Sequence, residues 1–234
     1  MSGHDLDPAM RRIALAILAC CLATNALAGT PADPVMRPPV EHLPPTLQRA
    51  KAELRSIIAR RDMQALQARV RAETKLDFGG SEGPGGFKAV WDTDAESRQR
   101  LWSTLESILA LPGVARGFDD DGSEYCTPYV FCTNLPGDVD PFEALVVLGA
   151  GVAIRDQPSL SGAVLTRVDH VVLSRAGDDA GGDQSPDWTR VRLADGTAGY
   201  ISTRWVRSPI DFRLTLRMDD GSDTWWLGFL LAGD

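Results

Sequence analysis

Val146–Pro209 reads VVLGAGVAIRDQPSLSGAVLTRVDHVVLSRAGDDAGGDQSPDWTRVRLADGTAGYISTRWVRSP, and this stretch decides the fold. VAIR at 152–155 is a strand, DQPS at 156–159 a turn, and AVLTRV at 163–168 a second apolar run. WTRVRL at 188–193 then alternates apolar and polar residues, Asp195-Gly196 turns the chain, and GYIS at 199–202 returns. Asp-Gly between two alternating runs predicts a hairpin, because glycine takes a positive φ without a Cβ clash. Short strands joined by tight turns are the plan of this region.

The order of its landmarks carries a resemblance. Ile154-Arg155-Asp156-Gln157-Pro158-Ser159 opens the segment, a Trp-x-x-Val strand follows at Trp188–Val191, and then come Gly196, Gly199-Tyr200 and Trp205-Val206. This order resembles the bacterial SH3-like (SH3b) domain of exported proteins. The departure is Arg175 to Pro186, a Gly-, Asp- and Ser-rich insert where that family has a shorter loop. The resemblance implies a small five-to-six-stranded barrel over 146–208. It implies a domain that binds wall material or packs on a neighbour, and that is seldom itself an enzyme.

Outside this stretch, residues 1–28 read as a secretory signal. Arg11 and Arg12 precede the apolar run IALAILACCL at 13–22, and Ala26-Leu27-Ala28 predicts cleavage after Ala28. The apolar run is half the length of about 20 residues that a spanning helix needs. A lipoprotein with Cys20 or Cys21 lipidated is the weaker alternative, since Ile17-Leu18-Ala19 fits that pattern poorly. The expected location is therefore periplasmic or secreted, with no transmembrane segment after cleavage.

The formal charge is −8, from 24 Lys and Arg against 32 Asp and Glu. This balance argues against nucleic acid, whose phosphates need cations. Cys126 and Cys132 remain after cleavage, and in an oxidising compartment they are expected to pair. No metal site and no cofactor is expected: two cysteines six apart lack further ligands, and only His42 and His170 follow the signal.

Residues 29–45 hold six prolines in seventeen residues and read as an extended linker. Thr46–Arg61 reads as an amphipathic helix with the stripe Leu47, Ala50, Leu54, Ile57 and Ile58. Asp62 is placed to cap a second helix, MQALQARVRAE, with Leu66 and Val70 as an i, i+4 pair. The basic residues on these helices read as a solvated face. A strand ends at Phe78, and the Gly-rich turn at 79–86 sets Phe87 and Trp91 on one helical face; it lacks any phosphate-loop spacing. Asp94 caps the longest helix, which Leu111-Pro112-Gly113 stops. Asp119, Asp121 and Gly122 weakly resemble a calcium loop without its closing Glu, and read as solvated. YCTPYVFC is an aromatic strand. Phe212–Met218 and TWWLGFLLAGD form a closing hairpin that must pack on something, with one of Trp225 and Trp226 facing the core.

The expected fold is α+β: a helix-rich domain at 46–145, the SH3-like barrel at 146–208, and the C-terminal hairpin at 209–234 packing on both. For 47–145 followed by the hairpin, the cone-shaped α+β fold of the nuclear transport factor superfamily is a loose second resemblance.

Three functions compete. A non-enzymatic binding module would present Trp188, Tyr200 and Trp205 as a stacking surface and Arg155 to a carboxylate of peptidoglycan or of an envelope protein. Core packing is the plainer role for each aromatic. A wall hydrolase, or its accessory subunit, is the second: Asp77, Glu82, Asp138 and Glu143 are available, but nothing pairs them. An adaptor or dimer using Trp225 or Trp226 is the third. The binding module is the expected function, and no catalytic residue is assigned.

Overall fold

The computed structural model describes residues 32–116, 124–136, 139–177, 186–219 and 224–231. The expected signal, with Cys20 and Cys21, the calcium-like residues Asp119, Asp121 and Gly122, and Asp138 lie outside them. The chain divides into Met1–Ala32 and Asp33–Asp234, and every element below belongs to the second unit. No helix of the described residues is long and apolar enough to cross a membrane.

Among the described residues the fold is mixed α and β, with five helices and two sheets. The helices are α1 Pro45–Arg60, α2 Met63–Gln67, α3 Gly83–Trp91, α4 Ala95–Leu109 and the one-turn α5 Tyr129–Cys132. Pro45 opens α1, where its missing N–H costs nothing, and Arg61 ends it in the left-handed region at φ 51°. Asp94 and Ser97 form a reciprocal capping box on α4.

The first sheet contains β1 Val70–Lys75, β2 Val114–Arg116, β3 Glu124–Thr127, β11 Arg213–Met218 and β12 Trp225–Leu231, in the order β1-β12-β11-β3-β2. The C-terminal hairpin therefore forms the centre of this sheet. β12 lies between β1, with which it runs parallel, and β11. Here two expectations are corrected. The second helix stops at Gln67, although Asp62 caps it as expected by accepting from the Ala65 amide at 3.0 Å. From Val70 the chain is a strand, because pairing with Leu227 and Phe229 overrides its helical periodicity. YCTPYVFC is a strand only to Thr127, and Tyr129–Cys132 forms a helical turn.

The four longer helices and one face of this sheet enclose the main core. Leu47, Leu54, Phe87, Trp91, Leu101, Leu105, Leu214, Trp225 and Leu227 meet there. Each such side chain contributes about 1.5–3 kcal/mol by leaving water. Cys126 and Cys132 are joined by a disulfide between β3 and the end of α5.

The second sheet contains β4 Ala144–Val147, β5 Val152–Arg155, β6 Val164–Val168, β7 Val172–Arg175, β8 Trp188–Arg192, β9 Ala198–Ser202 and β10 Val206–Arg207. Its order is β10-β4-β7-β8-β9-β5-β6, and a 3₁₀ turn at Thr203–Trp205 separates β9 from β10. Among the described residues it does not close into a barrel. The expected strands VAIR, VLTRV and the Asp195-Gly196 hairpin are all present, with Gly196 at φ 87°. Its core is aliphatic: Leu145, Val147, Val152, Ile154, Leu173, Val191 and Ile201. β4 spans the boundary expected between 145 and 146.

From Asp33 onward the Pro-rich segment is extended, as its prolines require, but it is tied down by hydrogen bonds. Met36 N donates to His170 O and Val172 N to Pro34 O, both at 2.7 Å. Asp33 Oδ1 accepts from the Ala194 amide at 2.6 Å. At the other end Glu41 Oε1 accepts from Lys51 Nζ at 2.6 Å, Tyr125 OH at 2.5 Å and Gly113 N at 2.8 Å. Residues 33–41 thus strap the seven-stranded sheet to the helical half.

Candidate functional site

The face of the second sheet turned away from its core is set by strand alternation. Val152 and Ile154 point inward, so Ala153 and Arg155 point out; Val191 and Ile201 point inward, so Trp188, Arg190, Tyr200 and Ser202 point out. Register places Tyr200 between Arg155 on β5 and Arg190 on β8, with Ser202 beside Trp188 in the next row. Gly199 permits this: a Cβ there would lie 2.6 Å from Ile154 Cγ2 and 2.8 Å from Arg155 O, so β9 could not approach β5 as closely.

A shallow groove of about 200 Å³ opens on this side, where the β5–β6 hairpin meets β8, the end of β9 and the 3₁₀ turn. Its lining includes Arg155, Arg167, Arg204, Leu160, Trp188 and Trp205. Three of the four residues expected to bind, Arg155, Trp188 and Trp205, therefore share one groove. Tyr200 does not line it and occupies the adjacent row between two arginines. Trp188 is half-buried and Trp205 is 39 % exposed, so neither is core.

The guanidinium groups are held. Arg155 Nη1 donates to Gly162 O at 2.6 Å, which ties the turn at the hairpin's tip. Arg167 Nη1 donates to Gly151 O at 2.7 Å. Arg204 lies over the Trp205 ring at 5.4 Å. Arg155 and Arg167 each spend one nitrogen on a backbone carbonyl and keep other N–H groups for a ligand. Among the described residues no Asp or Glu lines the groove. A chain of net charge −8 has thus gathered three fixed cations and two indole rings at one place. Such a surface suits a carboxylate joined to a flat or apolar body.

Arg167 and Arg204 escaped the sequence reading. Arg204 had a signal, since it adjoins Trp205; Arg167 had none beyond its outward phase in VLTRV.

The other residues weighed from sequence do not converge. Asp77 is spent on the Ser81 amide at 2.8 Å, and hydrogen bonds from Ser81 hold its carboxyl below the usual value, so it stays ionised. Glu82 precedes α3, and Glu143 lies in the exposed turn before β4. Trp225 is buried and donates from Nε1 to Glu53 at 2.7 Å, while Trp226 is half-buried between Arg71 at 5.0 Å and Arg217 at 5.6 Å. One ring of the pair faces the core, as alternation requires, and the other is covered by cations. Among the described residues no group of three or more His, Cys, Asp or Glu is placed to hold a metal ion. No protein-family model matches the chain, and no curated protein matches it.

Proposed function

We propose that this is an exported, non-catalytic binding protein of the cell envelope, and that its groove takes carboxylate-bearing groups such as those of peptidoglycan stem peptides. The observation that carries the reading is the cluster of Arg155, Arg167 and Arg204 with Trp188 and Trp205, with no Asp or Glu among the described residues that line the groove, in an acidic chain. On this reading the second sheet is an SH3-like module. Support comes from its strand order, from the β5–β6 hairpin laid on β9, and from the 3₁₀ turn between β9 and β10. The disulfide is consistent with an oxidising compartment.

The roles divide by chemistry. Arg155 and Arg167, oriented by backbone carbonyls, hold a carboxylate. Trp205, backed by Arg204, and Trp188 cover the apolar body. The test is binding of a soluble muropeptide to the purified protein. Arg155→Ala and Arg204→Ala are expected to weaken binding together by more than tenfold with unchanged thermal unfolding. Unchanged affinity in the double variant overturns the reading.

A protein partner is the second reading. β6 ends the sheet order, and Val164, Leu165 and Leu160 are exposed by 42 %, 45 % and 75 %. An apolar edge strand of this kind invites pairing with another chain.

A further inference from the structure

A second crevice lies away from the groove, where the seven-stranded sheet hands the chain to β11. It has a volume of about 470 Å³, within the range of small-ligand sites. Leu145 of β4, Arg175 of β7, Thr189 of β8, Thr203 of the 3₁₀ turn and Arg207 of β10 line one side. Phe142, Ile210, Asp211 and Phe212 complete it.

The charges in it are unequal in availability. Arg207 is committed. It donates from Nη1 to Ser107 Oγ at 2.7 Å and from Nη2 to Phe212 O at 3.0 Å. Its Nε lies 3.2 Å from Asp211 Oδ2, an ion pair without hydrogen-bond alignment. Asp211, the one acidic residue of the lining, is thereby neutralised. Arg175 is exposed, and its guanidinium has no partner among the described residues. The Thr189 and Thr203 hydroxyls stand 3.0 Å apart and satisfy each other with donor or acceptor capacity left over. Beside these polar groups Phe142 leaves 66 % of its surface exposed at the rim, and Phe212 is braced from behind by Trp91 at 6.1 Å.

We propose that this crevice binds the terminal carboxylate of a peptide whose last side chain is apolar. Arg175 takes the carboxylate, where a guanidinium can engage both oxygens. The threonine hydroxyls are placed for the adjoining amide. Phe142, Ile210 and Phe212 receive the side chain. A ligand of one or two residues fills the volume. This site does not depend on the groove and uses none of its residues.

The probes are N-acetyl-phenylalanine, its C-terminal amide and N-acetyl-alanine, titrated into isotope-labelled full-length protein by NMR. Saturable shifts at Arg175, Thr189, Thr203 and Ile210 are expected with the first. The amide and the alanine analogue are expected to bind at least about fivefold more weakly, since one lacks the charge and the other the apolar surface. Arg175→Ala and Phe142→Ala are expected to weaken the binding of the first probe at these residues by a similar factor. Absence of saturable shifts at these residues by about 20 mM probe, equal affinity of acid and amide, or unchanged affinity in Arg175→Ala overturns the proposal.

Discussion

The two halves of the molecule spend their tryptophans differently. In the helical half Trp91, Trp102 and Trp225 are 1 %, 4 % and 2 % exposed and build the core. In the seven-stranded half the core is aliphatic, while Trp188 and Trp205 stand outside it beside arginines. The difference teaches where to look for function. An aromatic ring that packing does not need, kept next to held cations at a groove, is where we propose recognition; a ring sealed among leucines is architecture.

This contrast can be broken most sharply at Trp225. Trp225→Ala should cost about 3–5 kcal/mol, because it removes a fully buried ring from the main core and takes the Nε1 donor away from Glu53 Oε2. Trp205→Ala should cost less than about 1 kcal/mol and remove ligand binding instead. Denaturant unfolding of both variants compares them directly. Similar losses in the two would erase the distinction.

The disulfide comes next. It closes a loop between residues six apart, so Cys126→Ser with Cys132→Ser should cost about 2 kcal/mol by the chain-entropy estimate. Calorimetry with and without reductant measures it.

A smaller effect tests the strap. Burial alone would raise the Glu41 pKa, but hydrogen bonds from Lys51, Tyr125 and the Gly113 amide outweigh it and hold the carboxyl below its usual value. Burial and the Glu41 contact push the Tyr125 hydroxyl upward, so it stays a donor. A depressed carboxylate stabilises the fold above its ordinary pKa and loses that contribution as pH falls through the lowered value. Glu41→Gln should therefore destabilise by about 1 kcal/mol near neutrality, with the difference from the parent shrinking in acid below about pH 4. A difference that grows in acid would contradict the assignment.

Legibility in the sequence followed the range of the contacts. The Asp195-Gly196 hairpin, the VAIR strand and the Asp94 cap were readable because turn, strand and cap are set by neighbours in the chain. β1 was not, because its partner is β12, more than 150 residues away in sequence: Thr74 Oγ1 donates to Leu227 O across a separation of 153. The C-terminal hairpin was visible as a hairpin, but its place at the sheet's centre follows from pairing with β1 and β3, which no local pattern encodes. Arg155, Trp188 and Trp205 line one groove because β5, β8 and the 3₁₀ turn meet there through β9, a juxtaposition no local pattern encodes. Arg167 was hidden because its role depends on the β5–β6 pairing register. The strap was read only as a linker, since proline content reveals extension but not the bridges from Pro34 and Met36.

The most direct measurement is co-sedimentation of the Gly29–Asp234 protein with insoluble peptidoglycan sacculi, at low and moderate salt, with soluble muropeptide as competitor. The account predicts retention that survives moderate salt, is displaced by the competitor, and is lost in Arg155→Ala with Arg204→Ala. No retention at either salt, or equal retention of the double variant, would contradict it and turn attention to a partner for the β6 edge.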